Sequence, residues 1–142
     1  MTALVGLAVL GVLFITLTAC WPLINDVETG KTPDYPDLVP RVYGNKPEVV
    51  FDAALRAIHR LPRWSVVAQR PESGEIRAEA STRLLRFVDD VTILMREEES
   101  KTVVSVRSAS RVGKGDFGQN ARNIRAFFEE LDAQLQRPAE QR

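Results

Sequence analysis

Hydrophobic residues recur along the chain with two different periods, after an N-terminal run that is apolar throughout. Residues 75–81 alternate between apolar and polar side chains, as in a strand with one buried face. Residues 50–61 and 121–135 instead place apolar side chains three or four positions apart, which is the spacing of an amphipathic helix. The chain therefore combines strands and helices, and this pattern predicts the α+β class.

The predicted order of elements is β-α-β-β-β-β-α. The first helix starts at Asn45, a capping residue, with Pro47 in its first turn, and it ends at Pro62. The closing helix starts near Asp116, which forms a capping-box pattern with Gln119. The predicted strands cover residues 38–43, 64–69, 75–81, 87–96 and 102–110. This order predicts an antiparallel sheet with both helices packed on one face.

The N-terminal run ends at the single cysteine of the chain. Residues 3–19 carry no charge, and their length is at the lower limit for a spanning helix, about 17 residues. The following Leu17-Thr18-Ala19-Cys20 resembles a bacterial lipobox, in which the cysteine is lipidated and becomes the new N-terminus. No Lys or Arg precedes the run, although secretory signals normally carry one. An uncleaved anchor and a buried core helix therefore remain as alternatives to the lipoprotein interpretation.

The predicted organisation has four parts. Residues 1–20 are a signal peptide with lipobox or a transmembrane anchor, and residues 21–38 are a linker interrupted by three prolines and a glycine. Residues 39–137 form the soluble α+β domain, and residues 138–142 form a tail. Both the lipid and the helical anchor place this domain outside the cytoplasm, tethered to a membrane of the cell envelope.

Composition excludes several classes of function. Nineteen basic residues balance nineteen acidic ones, so the chain has no general electrostatic attraction to nucleic acid or to anionic lipid. One cysteine and one histidine, His59, exclude a disulfide framework and the usual Cys/His zinc cages. The glycines after residue 112 lack the Lys-Ser or Lys-Thr of a phosphate-binding loop. No metal or cofactor is predicted, and nucleic acid is not a predicted partner.

The last two strands predict a polar patch on the inner face of the sheet. If residues 97–100 form the hairpin loop, Arg96 pairs with Lys101 and Asp90 faces Arg107 on the outer side. Asp89 then faces Ser108 on the inner side, where a carboxylate is costly unless it accepts hydrogen bonds. The candidate ligand-binding residues are Asp89, Ser108, Ser110, Arg111, Asp116 and Asn120.

Three roles for this patch remain open from the sequence. Asp89 can accept hydrogen bonds from the turn that opens the last helix, which is a structural role. Asp89 and Arg111 can instead line a cleft that holds a polar ligand. Catalysis is the third role, although no nucleophile-base pair with His or Cys is available.

Several of these residues belong to motifs that resemble the bacterial domain-of-unknown-function 1499 family. Its characteristic stretch is similar to Ser108-Ala109-Ser110-Arg111-Val112-Gly113, followed by Asp116, Gly118, Asn120, Arg122 and Ile124. Tyr35-Pro36-Asp37-Leu38 and Phe87-Val88-Asp89-Asp90 are similar as well. The resemblance implies an envelope location and a compact α+β domain, and it implies no established activity.

The leading functional hypothesis is therefore a non-catalytic one. The chain is predicted to be an envelope lipoprotein whose domain binds a protein or an amphiphile near the membrane, because a sheet and a long helix can enclose an apolar ligand. The alternative is an enzyme that acts on a polar envelope substrate through Asp89, Arg111 and Asp116.

Overall fold

The computed structural model describes residues 23–83 and 86–136. Its strands are β1 (Asp26–Glu28), β2 (Arg41–Tyr43), β3 (Trp64–Arg70), β4 (Glu75–Ser81), β5 (Val88–Glu98) and β6 (Lys101–Ser110). Its helices are α1 (Pro47–Arg60) and α2 (Gln119–Gln136), and a single 3-10 turn, Pro71–Ser73, joins β3 to β4. The predicted α+β class and element order are confirmed, with one additional strand, β1.

The six strands form one antiparallel sheet. The order across the sheet is β1-β6-β5-β4-β3, and β2 also pairs with β6. Strands β1 and β2 share one edge of β6, with Val27 opposite Ser108 and Val42 opposite Val103. Thr29 fills the gap between them: its amide donates to the carbonyl of Val106, and its hydroxyl accepts from the Val106 amide. The edge of β6 is therefore paired by two short segments instead of one long strand.

Strand β1 lies inside the segment that the sequence predicts to be a linker. Val27 is fully buried in the core, and Leu38, at the end of the same segment, is 5% exposed. Gly30, Pro33 and Pro36 lie in the loop between these two packed ends, and Gly30 donates to the carbonyl of Leu38 over 2.7 Å. Proline-rich composition indicated the irregular loop but gave no signal for a three-residue strand. The packed part of the chain thus begins well before residue 39.

One of the two helix starts differs from its predicted cap. Helix α1 begins at Pro47, as expected, but its N-cap is Lys46 and no side chain caps it. The carbonyl of Asn45 instead accepts a hydrogen bond from the Thr102 hydroxyl. Helix α2 begins at Gln119, three residues after Asp116. The predicted cap holds there, because the Asp116 carboxylate accepts hydrogen bonds from two amides at the helix start.

The core lies between the sheet and the two helices. Helix α2 contributes Ile124, Phe127, Phe128 and Leu131 to this core. None of these side chains is more than 1% exposed. The ring of Trp64, at the start of β3, stacks on Phe127 with 6.4 Å between the ring centroids. Aliphatic side chains of the inner sheet face complete this core. The burial of α2 fixes which of its polar residues face the sheet.

The β5–β6 hairpin is two residues out of step with the predicted register. Asp89 faces Ser110, Asp90 faces Ala109, and Arg107 faces Thr92, so the predicted pairing of Asp90 with Arg107 was wrong. The loop is shorter than expected, because Glu98 pairs with Lys101 and only Glu99 and Ser100 form the turn. Both turn residues have positive φ, as the type I′ turn of tight hairpins requires. A shift of two positions preserves the faces, so the inward residues were still predicted correctly.

Candidate functional site

Five polar side chains meet between the inner face of the sheet and helix α2, and we call them the inner polar cluster: Asp89, Ser108, Ser110, Asn120 and Asn123. Asp89 is 2% exposed, and its two carboxylate oxygens have different partners. The Ser110 hydroxyl donates to one oxygen over 2.7 Å, and the Asn123 amide donates to the other over 2.8 Å. Both oxygens of this buried carboxylate are therefore bonded within the domain.

Asn120 connects the cluster to the segment that precedes β1. Its side-chain carbonyl accepts from the Ser108 hydroxyl over 2.6 Å, and its amide donates to the Ser110 hydroxyl over 2.9 Å. The same amide donates to the backbone carbonyl of Asn25 over 3.0 Å. Asn120 is fully buried. It thus joins β6, α2 and the segment leading into β1 in one hydrogen-bonded unit.

The turn before α2 is held by Asp116. Its carboxylate accepts from the amides of Gly118 and Asn120 over 2.8 Å and 2.7 Å. Its own amide donates to the carbonyl of Ile24 over 3.1 Å, so this turn also contacts the incoming chain. Two successive residues, Phe117 and Gly118, have positive φ. Asp116 therefore shapes the turn and is bonded to backbone amides, as a helix cap.

Arg111 lies apart from the inner polar cluster. Its guanidinium donates to both oxygens of Asp90 and to Glu79, and all three side chains are partly exposed on the outer face. The hydrogen bond from Arg111 lowers the pKa of the Asp90 carboxyl, and Asp90 and Glu79 together raise the pKa of Arg111. The predicted cleft shared by Asp89 and Arg111 is not formed, because the alternation of the strands sends their side chains to opposite faces.

Tyr35 and Asp37, of the motif at residues 35–38, contact the outer side of helix α2. Arg125 forms a bidentate ion pair with Asp37, and its guanidinium lies 5.6 Å from the centre of the Tyr35 ring. Burial, followed by the nearby Asp116 carboxylate, raises the pKa of Tyr35. Among the described residues, the Tyr35 hydroxyl is the one buried side-chain polar atom without a hydrogen-bond partner. The motif at 35–38 therefore acts on the same helix as the inner polar cluster.

The inner polar cluster is separate from the groove found on this domain. The Ser110 hydroxyl is bonded to Asp89 in a buried layer, and the described part of the chain contains no group of three or more His, Cys, Asp or Glu that could hold a metal ion. A groove of about 110 Å³ lies at the opposite end of the sheet, between the start of α1, Pro71 and Met95. Its lining includes none of the predicted site residues, and it is small beside ligand pockets of roughly 300–1,000 Å³.

Two members of the network were missed by the sequence interpretation. Asn123 supplies a direct hydrogen bond to Asp89 and is 5% exposed. Its spacing of three from Asn120, beside the apolar positions Ile124 and Phe127, was the available signal for an inward polar residue. Asn25 had no such signal, because its contacts depend on strand β1. Cys20, the predicted lipidation site, lies outside the described residues.

The fold and the cluster define an α+β domain in which a long C-terminal helix is joined to an antiparallel sheet by buried polar residues. Residues 16–131 match the family described as "Protein of unknown function (DUF1499)", and the chain belongs to this family. The predicted resemblance is thereby confirmed. No curated protein matches the chain.

Three solved structures are similar in shape. "Crystal structure of Ara h 8.0201" has 9% identity and a TM-score of 0.52, and the match covers 79% of this chain and 98% of that chain. TTHA0849 from Thermus thermophilus has 12% identity and a TM-score of 0.42, with 78% and 96% covered. CV1439 from Chromobacterium violaceum has 12% identity and a TM-score of 0.45, with 80% and 99% covered. The likeness to Ara h 8.0201 shows a shared fold and nothing about function.

Proposed function

We propose that this chain is a membrane-tethered protein of the cell envelope, and that its α+β domain is a non-catalytic binding or structural module close to that membrane. Two independent features support this proposal. One is the closed hydrogen bonding of the inner polar cluster, and the other is the apolar run that ends at Cys20.

The bonding of Asp89 is the observation that carries the non-catalytic role. Its two oxygens accept from Ser110 and Asn123, and it is 2% exposed. A general base or a ligand-binding carboxylate needs an open side from which a substrate approaches. No contact joins Asp89 to Arg111 in the described part of the chain, so the enzyme alternative gains no support from the geometry. The family motif is better explained as the residues that fasten α2 to the sheet.

The sequence supports the membrane tether. Residues 3–19 are uncharged and end in Ala19-Cys20, in the position of a lipobox. Across residues 23–83 and 86–136, no helix is long and apolar enough to cross a membrane. We assign the anchor to the N-terminal run because that run is uncharged and apolar, and we prefer the lipid on Cys20 as its form.

Mass spectrometry of the membrane-extracted protein tests the lipid anchor. We expect a chain that begins at Cys20 and carries a diacylglyceryl group, because Cys20 is the one thiol available for this modification. A Cys20→Ser variant should keep residues 1–19, since the processed cysteine is lost. A wild-type chain with an intact Met1 terminus and an unmodified Cys20 would rule out lipidation and leave the helical anchor.

A further inference from the structure

Three segments converge at the end of the sheet where the described part of the chain begins, at residue 23. The Arg111 amide donates to the carbonyl of Val88, which brings the end of β6 to the start of β5. The Asn25 side chain donates to the carbonyl of Gly113 over 2.6 Å. Residues 23–25, 86–88 and 111–118 therefore form one continuous end of the domain.

This end exposes four large apolar side chains: Leu23, Phe87, Val112 and Phe117. We call it the apolar end. Leu23 is 84% exposed and Phe117 is 61% exposed. The remaining phenylalanines of the described chain, Phe51, Phe127 and Phe128, are all buried. Apolar residues concentrated at one end of a domain indicate a contact surface, whereas single scattered ones need no explanation.

The exposed Phe117 has a backbone conformation that non-glycine residues disfavour. Its φ is +50°, in the left-handed region that non-glycine residues rarely adopt. The turn keeps this conformation because Asp116 bonds the amides of Gly118 and Asn120, and Arg122 donates to the carbonyl of Phe117 over 2.9 Å. Strain that a bonded turn maintains in order to expose an aromatic ring is typical of a functional surface.

The charges around the apolar end are mainly basic. Arg86, Lys114 and Arg122 are exposed there. Of the acidic side chains nearby, Asp116 accepts hydrogen bonds from backbone amides, Asp89 is buried and Asp90 pairs with Arg111. The opposite end of the β5–β6 hairpin carries three consecutive exposed glutamates, residues 97–99. The tip of this hairpin also exposes Arg96 and Lys101, and the basic residues of the apolar end complement an anionic surface.

The short connection between the domain and the anchor indicates that this anionic surface is the membrane. Strand β1 begins at Asp26, and Ile24 and Asn25 are already bonded to the domain. Three peptide units separate Cys20 from Leu23, and they span about 10 Å at full extension. A domain held this closely cannot move away from the membrane that holds Cys20.

We propose that the apolar end rests on the bilayer that anchors the N-terminus, with Phe117, Val112 and Leu23 inserted among the acyl chains and Lys114 beside anionic phospholipid headgroups. This inference depends on the proposed membrane tether and adds the orientation of the domain to it. The domain then presents the tip of the β5–β6 hairpin to the aqueous compartment. The occupant of the apolar end is the lipid surface, in the manner of interfacial aromatic and basic residues.

Lipid quenching of tryptophan fluorescence tests the orientation on the full-length chain. Phe117→Trp and Val49→Trp are made in a chain in which Phe replaces the native Trp21, and they are reconstituted into vesicles of phosphatidylcholine and phosphatidylglycerol, with and without brominated acyl chains. The same chain without an added tryptophan gives the background signal of the native Trp64. Val49 is exposed on α1 at the opposite end and serves as the matched control. We expect the tryptophan added at 117 to be quenched and shifted to shorter wavelength, and the one added at 49 to be unaffected. Val112→Trp repeats the test at a second site of the apolar end.

The outcomes separate the orientation from the tether. Protein that fails to float with the vesicles contradicts the tether, and the orientation fails with it. Protein that floats, with residues 117 and 49 quenched equally little, overturns the orientation alone. A blue shift at 117 that grows with the protein-to-lipid ratio, without quenching, identifies a second copy of the chain as the occupant and also overturns it. Lys114→Glu should reduce the quenching when phosphatidylglycerol is present, and an unchanged signal contradicts the role of anionic lipid.

Discussion

Phe127→Ala should lower the free energy of unfolding by about 3–5 kcal/mol, the largest loss that we expect from a single substitution. Phe127 is fully buried between the sheet and α2, and its ring stacks on Trp64 and contacts Phe128. Truncation removes these contacts and leaves a cavity that the surrounding helix and sheet fill only in part. Urea unfolding of a fragment spanning residues 23–142 measures the change.

Phe117→Ala is the matched control for this experiment. It removes the same side chain from a position that is 61% exposed, so we expect a change within about 0.5 kcal/mol. Both variants lose the same aromatic ring, but only Phe127→Ala loses core packing. The difference between their free energies of unfolding therefore measures the packing. If the two variants lose similar amounts of stability, α2 does not pack on the sheet as described.

Asp89→Ala should lower the free energy of unfolding by about 1–3 kcal/mol. The substitution leaves the Ser110 hydroxyl and the Asn123 amide without their acceptor inside a buried layer. For a domain of this size, a loss of that order is a large share of the total stability, which is about 5–15 kcal/mol. Asp90→Ala is the control, because the Asp90 carboxylate is partly exposed and pairs with Arg111 on the other face of the sheet.

A double-mutant cycle shows whether Asp89 acts through its hydrogen-bond partner. Asp89→Ala and Asn123→Ala should together cost less than the sum of the two, with a coupling of about 0.5–3 kcal/mol. A residue kept for ligand binding or catalysis instead sits in an unfavourable environment, and its removal leaves stability unchanged or raises it. An unfolding midpoint of Asp89→Ala at or above the wild-type value would therefore contradict the structural role of the cluster.

The architecture was predictable because the apolar periods of this chain are regular. Alternation placed residues 89, 91 and 93 on one face of β5, and the structure buries all three. Helical spacing likewise identified Ile124, Phe128 and Leu131 as buried positions of α2. Such patterns survive folding because burial of an apolar face is the main favourable term for both kinds of element.

The hairpin register was not predictable in the same way. Tight two-residue turns are signalled by Asn-Gly or Asp-Gly, and the sequence here offers Glu99-Ser100 within a run of charged residues. The longer loop was the natural interpretation, and it displaced every pair by two positions. The inner residues of the candidate site were unaffected, because an even displacement keeps each side chain on its face.

The composition of the candidate site was predicted in part. Asp89, Ser108, Ser110 and Asn120 do come together, since strand alternation and the start of α2 direct them to one layer. Arg111 was grouped with them by its place in the sequence motif, although it lies on the outer face with Asp90. A sequence motif shows which residues are neighbours along the chain. Successive residues of a strand lie on opposite faces, so neighbours in a motif can be separated by the sheet.

The segment before residue 39 shows a different limit. Its prolines and glycine indicated a linker outside the folded domain. Strand β1 instead pairs with β6 and buries Val27, so the free connection after Cys20 is only a few residues long. Three-residue strands lack a detectable period, and they form where a neighbouring strand leaves an edge unpaired. Under the proposed tether, this difference shortens the distance between the domain and the membrane.

Alkaline carbonate washing of membranes from cells that produce the full-length chain is the most direct test of the proposed tether. The wash releases proteins held by charge or by partner proteins and leaves those anchored in lipid. We expect the full-length chain to stay in the membrane pellet and to be extracted by detergent, whereas a chain without residues 1–22 should be recovered in the aqueous fraction. Recovery of the full-length chain in the carbonate wash would contradict the membrane-tethered function.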